Sequence, residues 1–283
     1  MYAKRSSCEA AESAVVARLS TVFAGRRGPM GPVDRAECYA SGPVTVVIHT
    51  LQICPRVTHR YTAMTSPSIP THPSIVTDRL SFPADESRHP WLARLLEAYR
   101  ITDAGVAEGI RREAQQGRKL ACAKGCAACC RSHTTIPVYP LELMGMTWYA
   151  VERLPAPLRA RVQDNLQNNA DLAACPFLVD EACAIHPLRP QACRHFNVFG
   201  QACAEGEDAY YTRRQDVLTP LKRYKDQATD VVLPFYGIQH KAQRRAAIAA
   251  GSLHALATVM KDCNWPSVAA RMAEHDQQRT PVK

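Results

Sequence analysis

The sequence predicts a mostly α-helical fold with a small hairpin and loop region, rich in cysteine, docked among the helices. Eight of the twelve cysteines fall between residues 122 and 203. Apolar residues at helical spacing flank that window on both sides. Hydrophobic residues make up 46% of the 283-residue chain, so a buried core is available and wholesale disorder is excluded.

Residues 1–88 are predicted to form a poorly ordered N-terminal extension that ends in a Pro/Ser-rich linker. Five prolines lie between residues 64 and 90, interleaved with serine and threonine, as is typical of linkers. Residues 1–63 lack a coherent amphipathic pattern. We interpret them as upstream translated sequence that is not part of the native protein, which would then begin at Met64. A targeting presequence is the alternative, and four acidic residues count against it.

Residues 89–283 are predicted to form one helical domain that contains the cysteine cluster. Pro90 suits a first helical position, and apolar spacing extends that helix to about Gly117, with Gly105 as a candidate break. A short strand is expected over residues 134–139. The other predicted helices cover residues 141–154, 157–172, 217–233, 240–262 and 265–275.

Charge and hydropathy limit the classes of partner. The 35 Lys and Arg residues exceed the 26 Asp and Glu residues, and the net charge of +9 permits an acidic partner without requiring one. Residues 1–63 carry eight basic and four acidic residues, so the remaining chain is less positive and nucleic acid is not the expected partner. No apolar run reaches 18 residues, so no membrane partner is expected.

The first cysteine segment places four thiols within nine residues. Cys126 and Cys129 have the Cys-x-x-Cys spacing that lets two thiolates bind one metal from a tight turn. Cys122 lies one residue further back than a second such spacing, and Gly125 is available for a turn with positive φ. Cys130 is expected to point away from Cys129, toward a different metal, a different edge of a cluster, or the core.

The second cysteine segment supplies ligands at wider spacing. Gaps of eight and ten residues separate Cys175, Cys183 and Cys193, which predicts a short hairpin followed by a helix that Pro190 starts. Seven or eight thiolates suffice for one four-iron (4Fe-4S) iron–sulfur cluster with cysteines to spare, or for two four-coordinate zinc ions, and spacing alone does not choose between them. The predicted metal ligands are Cys122, Cys126, Cys129, Cys130, Cys175, Cys183 and Cys193, with Cys203 in reserve.

Basic and imidazole side chains accompany both segments. Cations near the thiols are expected to offset the negative charge of bound thiolates and to favour the thiolate form. These cations are Arg118, Lys119, Lys124 and Arg131 around the first segment, and Arg189 and Arg194 beside Cys193. The histidines His133, His186 and His195 are candidates for ligation or for hydrogen bonds to ligands, with packing as the default. Clustered cysteines without a secretion signal favour metal ligation in a reducing compartment, so a cytoplasmic location is predicted.

The combined pattern resembles a known family. It consists of the Cys122–Cys130 run followed by Cys175-Pro-Phe-Leu, Cys183-Ala-Ile-His, Arg189-Pro and Cys193-Arg. This pattern resembles the YkgJ-type CxxCxxCC cysteine-cluster family over roughly residues 118–200. The resemblance implies a domain that chelates zinc or iron, with the hairpin and loops bound to the metal. The family also includes a flagellin lysine N-methylase, which brings in a protein substrate as an alternative.

Three classes of function remain open at this point. The leading one is a cysteine-cluster protein that chelates an iron–sulfur cluster or zinc. An iron–sulfur-dependent enzyme similar to protein lysine N-methylases is the second, although no G-x-G-x-x-G turn for a methyl-donor nucleotide occurs. A zinc-stabilised nucleic-acid-binding module is the third. Whether the protein is an enzyme is left open, and its catalytic residues are not assigned.

Overall fold

The structure is a computed structural model, and it describes residues 78–123 and 125–279. This part of the chain is mostly helical, as the sequence predicts, with two small antiparallel sheets. The α-helices are α1 (Pro83–Arg88), α2 (Pro90–Gln115), α3 (Ala128–Ser132), α4 (Pro140–Glu152), α5 (Ala156–Gln167), α6 (Gln191–His195), α7 (Ala209–Thr212), α8 (Lys222–Val232), α9 (Lys241–Ala249) and α10 (Trp265–Arg279). The strands are β1 (Pro137–Val138), β2 (Leu178–Val179), β3 (Ala182–Cys183) and β4 (Thr258–Val259).

The longest helix, α2, provides the surface on which α8, α6 and α4 pack. Its buried side chains, among them Leu92, Leu95 and Tyr99, recur at helical spacing. The helix continues through Gly105, so the candidate break there is not used. A Cβ atom at this position would lie 2.6 Å from the Cβ of Tyr224. The absence of a side chain at Gly105 therefore allows α8 to pack closely against α2.

A second layer is formed by α4, α5 and α10, which enclose the larger described core cluster. Trp265 begins α10 and is fully buried, and its ring meets Phe177 edge to face at 5.0 Å. Buried Arg159 links the three helices because its guanidinium donates to the carbonyl oxygens of Ala150 and Met272, at 2.9 and 3.0 Å. This core supports one side of the cysteine region.

The two sheets are short and join distant parts of the chain. Strand β1 pairs with β4, with Pro137 opposite Val259. Strands β2 and β3 form the predicted hairpin, with Leu178 opposite Cys183. The remaining helical turns are of the 3₁₀ type and cover Asn169–Asp171, His186–Leu188, Arg214–Asp216, Leu233–Tyr236, Ser252–Leu256 and Met260–Asp262.

The N-terminal end of the described chain is packed against the helices. Helix α1 lies within the stretch that the sequence analysis assigns to the linker. Its Asp85 is buried and pairs with Arg88 and with Arg153 after α4. The interpretation of residues 1–63 lies outside the described residues, as does most of the predicted linker.

Candidate metal centre

The first cysteine segment is hydrogen-bonded to the stretch of backbone around residue 199. The amide of Ala121 donates to the carbonyl oxygen of Val198 at 2.8 Å, and the amide of Gly200 donates to the carbonyl oxygen of Lys119 at 2.7 Å. Gly125 has a φ of +81°, as the predicted turn requires. The segment that carries Cys122 is thereby held beside the chain that leads to Cys203.

Helix α3 carries both Cys129 and Cys130. The expectation that Cys130 points away from Cys129 is wrong. The two side chains interact directly, and this contact is the largest cause of the raised pKa of the Cys129 thiol, followed by burial. The expectation assumed extended or turn backbone, in which successive side chains point to opposite sides, whereas residues 128–132 form a helix in which successive side chains are only about 100° apart.

The second cysteine segment folds as the spacing predicts. The amide of Cys175 donates to the carbonyl oxygen of Cys130 at 2.7 Å, which fixes the start of this segment on α3. Strands β2 and β3 then reverse through Asp180 and Glu181, both with positive φ. Cys183 ends β3, and Pro190 caps α6, which carries Cys193.

Three thiols of this segment form what we call the inner set: Cys175, Cys183 and Cys193. Burial raises the pKa of Cys175 to about 12 and that of Cys183 to about 11, and it raises the pKa of Cys193 well above its ordinary value. The negative charges of Cys183 and Cys175 add to the effect at Cys193, so the three thiols lie within electrostatic reach of one another. Without a metal ion, these thiols are protonated at neutral pH.

Three other thiols form what we call the outer set: Cys122, Cys126 and Cys203. Burial raises the pKa of Cys122 to about 11, with further contributions from the charges of Cys126 and Cys203. The Cys122 Sγ atom also accepts a hydrogen bond from the amide of Val198 at 3.3 Å. Cys126 is exposed to solvent, so the outer set is more accessible than the inner one.

Cys129 lies within electrostatic reach of both sets. Its charge raises the pKa of Cys122 and Cys203 in the outer set. It also raises the pKa of all three inner thiols. Cys129 is thus the predicted ligand that interacts electrostatically with thiols of both sets.

The cations that act on the thiols differ in part from those expected. Arg189 and Arg194 lower the pKa of Cys183, although burial outweighs them. Arg213 likewise lowers the pKa of Cys203, and burial again outweighs it. Two of the cations expected around the first segment are engaged elsewhere: Arg118 pairs with Glu113 and Arg131 pairs with Glu181. Lys124 lies outside the described residues.

Arg194 holds α6 in place from a buried position. Its guanidinium pairs with Asp103 at 2.5 Å and donates to the carbonyl oxygen of Arg189 at 2.9 Å. It also donates to the carbonyl oxygen of Pro187. These contacts fix the turn between the hairpin and Cys193, so Arg194 has a structural as well as an electrostatic effect on the inner set.

Glu142 is a residue near the site that the sequence analysis missed. It is buried, and its carboxylate accepts hydrogen bonds from the amides of Tyr139 at 3.1 Å and Gln191 at 2.7 Å. It therefore caps the starts of both α4 and α6. Burial raises its pKa to about 7. A glutamate three residues after the helix start was the available signal, but the second bond, to α6, has no local signature.

The candidate histidines have partners other than the cysteines. His133 lies 3.2 Å from a carboxylate oxygen of Asp208. His186 contacts the guanidinium of Arg189, and burial together with that cation lowers its pKa to about 3. Burial lowers the pKa of His195 to about 4. All three side chains are therefore packed or paired within the described fold.

The cysteines fit zinc or iron in donor type, number and surroundings. Soft thiolate ligands suit both metals, and the nearby arginines offset negative charge. Among residues 78–123 and 125–279, however, no three His, Cys, Asp or Glu side chains already form a complete metal-binding group. Metal binding therefore requires the thiol sulfur atoms to move closer together. No other described cysteine contributes to the raised pKa of Cys263, and its Sγ is 3.6 Å from the carbonyl oxygen of Val259.

The fold and the cysteine arrangement are those of a helical domain with a cysteine cluster. Residues 121–217 match the family model named CxxCxxCC, described as "Putative zinc- or iron-chelating domain". The match confirms the family resemblance and covers every predicted ligand. No curated protein and no solved structure matches the chain. The comparisons add nothing to the methylase and nucleic-acid hypotheses. In the part of the chain that the structure describes, no helix has both the length and the apolar character needed to cross a membrane.

Proposed function

We propose that this protein binds zinc or a four-iron iron–sulfur cluster through the thiolates of its cysteine cluster. The observation that carries the proposal is the hydrogen bond from the amide of Cys175 to the carbonyl oxygen of Cys130, beside which Cys129 interacts electrostatically with all three inner thiols. These four thiols come from two segments that lie 45 residues apart in sequence, between Cys130 and Cys175. A metal bound there links the segments, so its binding energy contributes to folding.

The surroundings of the inner set support stable metal binding. Cys175 and Cys183 pack against the larger core cluster, which limits access of water and oxidants. Arg189 and Arg194 supply positive charge beside thiolates. Each thiol that binds releases one proton, and because the thiol pKa values are raised, metal affinity is expected to increase with pH. A reducing compartment, such as the cytoplasm, would keep these thiols available.

The test is metal analysis with an absorption spectrum of the full-length protein, purified without oxygen. About four irons per chain, with visible absorption that dithionite bleaches, would identify a 4Fe-4S cluster. Bound zinc with a featureless visible spectrum would identify a zinc protein. Protein that retains neither metal, and takes up neither after reduction and incubation with each, would overturn the proposal.

A pair of matched variants locates the metal. Cys183→Ser removes an inner thiol, and Cys263→Ser removes a thiol whose pKa no other described cysteine affects. We expect C183S to lose most of the bound metal and C263S to keep it. Equal metal content in the two variants, at the wild-type level, would contradict the assignment to the inner set.

A further inference from the structure

An open groove of about 560 Å³ lies where α2, α8 and α9 meet. Its volume is within the range of ordinary ligand-binding pockets. Each helix contributes one apolar side chain to its lining: Ile101 from α2, Val231 from α8 and Ile248 from α9. No cysteine is among the described residues that line it, so the groove is separate from the candidate metal centre.

Positive charge predominates along the groove. Its charged lining residues are Arg100, Lys222, Lys241, Arg245, Asp226 and Asp230. Both carboxylates already have cationic partners, because Asp226 lies 2.5 Å from Lys222 and Asp230 lies 2.8 Å from Arg244. Lys241 and Arg245 form no ion pair with any described residue. Two cations in the groove are therefore available to an anionic partner.

Helix α9 carries these two cations at positions that disfavour a helix. Lys241 is its first residue, where the helix dipole disfavours positive charge. Arg245 follows four residues later, and like charges at that spacing destabilise a helix. No residue of α9 is buried, so packing offsets little of this cost. A negatively charged partner would offset it directly.

The free cations and the apolar lining share one face of α9. At about 100° per residue, Lys241, Arg245 and Ile248 fall within about 60° of one another around the helix. A small inorganic anion would pair with the cations but leave the apolar lining in water. A segment with both carboxylates and apolar side chains would cover both. We propose that the groove binds an acidic amphipathic helix of a protein partner, with its carboxylates facing Lys241 and Arg245.

The first test is a selection from random peptides of about twelve residues, displayed on phage, against the full-length protein. Bound phage are then counter-selected against the double variant Lys241→Glu/Arg245→Glu. We expect the surviving peptides to carry Asp or Glu together with apolar residues at helical spacing. Survivors without an excess of acidic residues, or no survivors at all, would overturn the proposal.

The second test measures the affinity of one selected peptide, labelled with a fluorophore, by fluorescence anisotropy. The double variant should bind it about tenfold more weakly than the wild type, and added salt should weaken wild-type binding. The matched control is Lys225→Glu, because Lys225 is an exposed lysine of α8 that does not line the groove. Equal losses in the control and the double variant would indicate unspecific charge attraction and overturn the proposal.

Two competitors distinguish the peptide from other anionic occupants. Inorganic phosphate and vesicles of anionic lipid should not displace the peptide at the concentration at which the unlabelled peptide does. Displacement by phosphate would assign the groove to a small anion. Displacement by vesicles would assign it to a lipid surface. Either result would overturn the proposed partner.

Hydrogen exchange locates the bound peptide. Bound peptide should slow the exchange of the α9 amides in the wild type, and unchanged exchange there would place the peptide elsewhere. In the free double variant these amides should exchange no faster than in the wild type, because the change removes positive charge from the helix start. The metal content of the double variant should equal that of the wild type, so this inference and the proposed function are tested independently.

Discussion

The guanidinium carbon of Arg194 lies 3.9 Å from the centroid of the Tyr99 ring. This contact joins α6, which carries Cys193, to the central helix α2. An arginine stacked on an aromatic ring in a dry environment is a favourable cation–π arrangement. The position of one inner thiol is therefore set by packing between helices as well as by the hairpin.

Replacing Arg194 by alanine should destabilise the protein strongly. The change removes the ion pair with Asp103, the bonds to two carbonyl oxygens and the contact with Tyr99. Breaking a buried pair in this way costs about 3 kcal/mol or more of unfolding free energy. Urea denaturation measures the loss. The control is Arg161→Ala, which breaks an exposed pair with Asp180 and should cost less than about 1 kcal/mol.

Glu142 should make the stability of the metal-free protein depend on pH. Its pKa rises from 4.5 in the unfolded chain to about 7 in the fold, so the folded state binds the proton more tightly. Its contribution is complete below pH 4.5 and is lost as the pH rises toward 7, by up to about 3 kcal/mol. Urea denaturation at pH 5 and pH 8, with chelator present, should show this decline as a difference between the wild type and Glu142→Gln, because His186 and His195, whose pKa values are lowered in the fold, change stability in the opposite direction in both proteins. Glu142→Gln should lack it, and identical pH profiles would contradict the prediction.

Two buried tyrosines should respond in opposite directions to removal of the hydroxyl. The Tyr99 hydroxyl is buried and finds no hydrogen-bond partner among the described residues, so Tyr99→Phe should raise the unfolding free energy by about 1 kcal/mol. The Tyr236 hydroxyl accepts the amide of Leu141 at 3.2 Å, so Tyr236→Phe should lower it by about 1 kcal/mol. Thermal unfolding of both variants checks the signs. A loss of stability in Y99F equal to that in Y236F would show that the Tyr99 hydroxyl is satisfied.

Gly145 should tolerate no side chain while Leu95 is present. A Cβ atom there would lie 2.2 Å from a methyl carbon of Leu95, where α4 meets α2. Gly145→Ala should therefore cost about 1–3 kcal/mol of unfolding free energy through overpacking. In a Leu95→Ala background the same change should cost much less, because the methyl group then occupies the vacated space. A double-mutant cycle by urea denaturation measures this coupling, and additive effects would contradict the predicted clash.

The helices and the hairpin could be predicted from local sequence, because apolar spacing and helix-start residues are local signals. Pro90 and Pro190 marked helix starts that the structure contains. The predicted helix over 240–262 was too long. After α9 the chain passes Gly251, which has a φ of +63°, and then forms β4, whose partner β1 lies 120 residues earlier. Pairing over that distance leaves no local pattern.

The cysteine region could be predicted in composition but not in arrangement. Spacing predicts which cysteines are ligands, yet their grouping depends on tertiary contacts, because α3 is hydrogen-bonded to Cys175 and the two sets of thiols pack against separate core clusters. The electrostatic partners also depended on tertiary structure. Arg131 was expected to offset thiolate charge and pairs with Glu181, whereas Arg213, ten residues beyond Cys203 in sequence, acts on Cys203.

The hydrogen bond between Cys175 and Cys130 has a consequence for the order of events during translation. The ribosome adds roughly 5–20 residues per second, so the first cysteine segment emerges several seconds before the second. Cys129 can meet the complete inner set once Cys193 has left the exit tunnel, whereas the outer set must wait for Cys203. Trp265 belongs to the core cluster against which Cys175 and Cys183 pack, so these thiols stay open to solvent until α10 has also been synthesised.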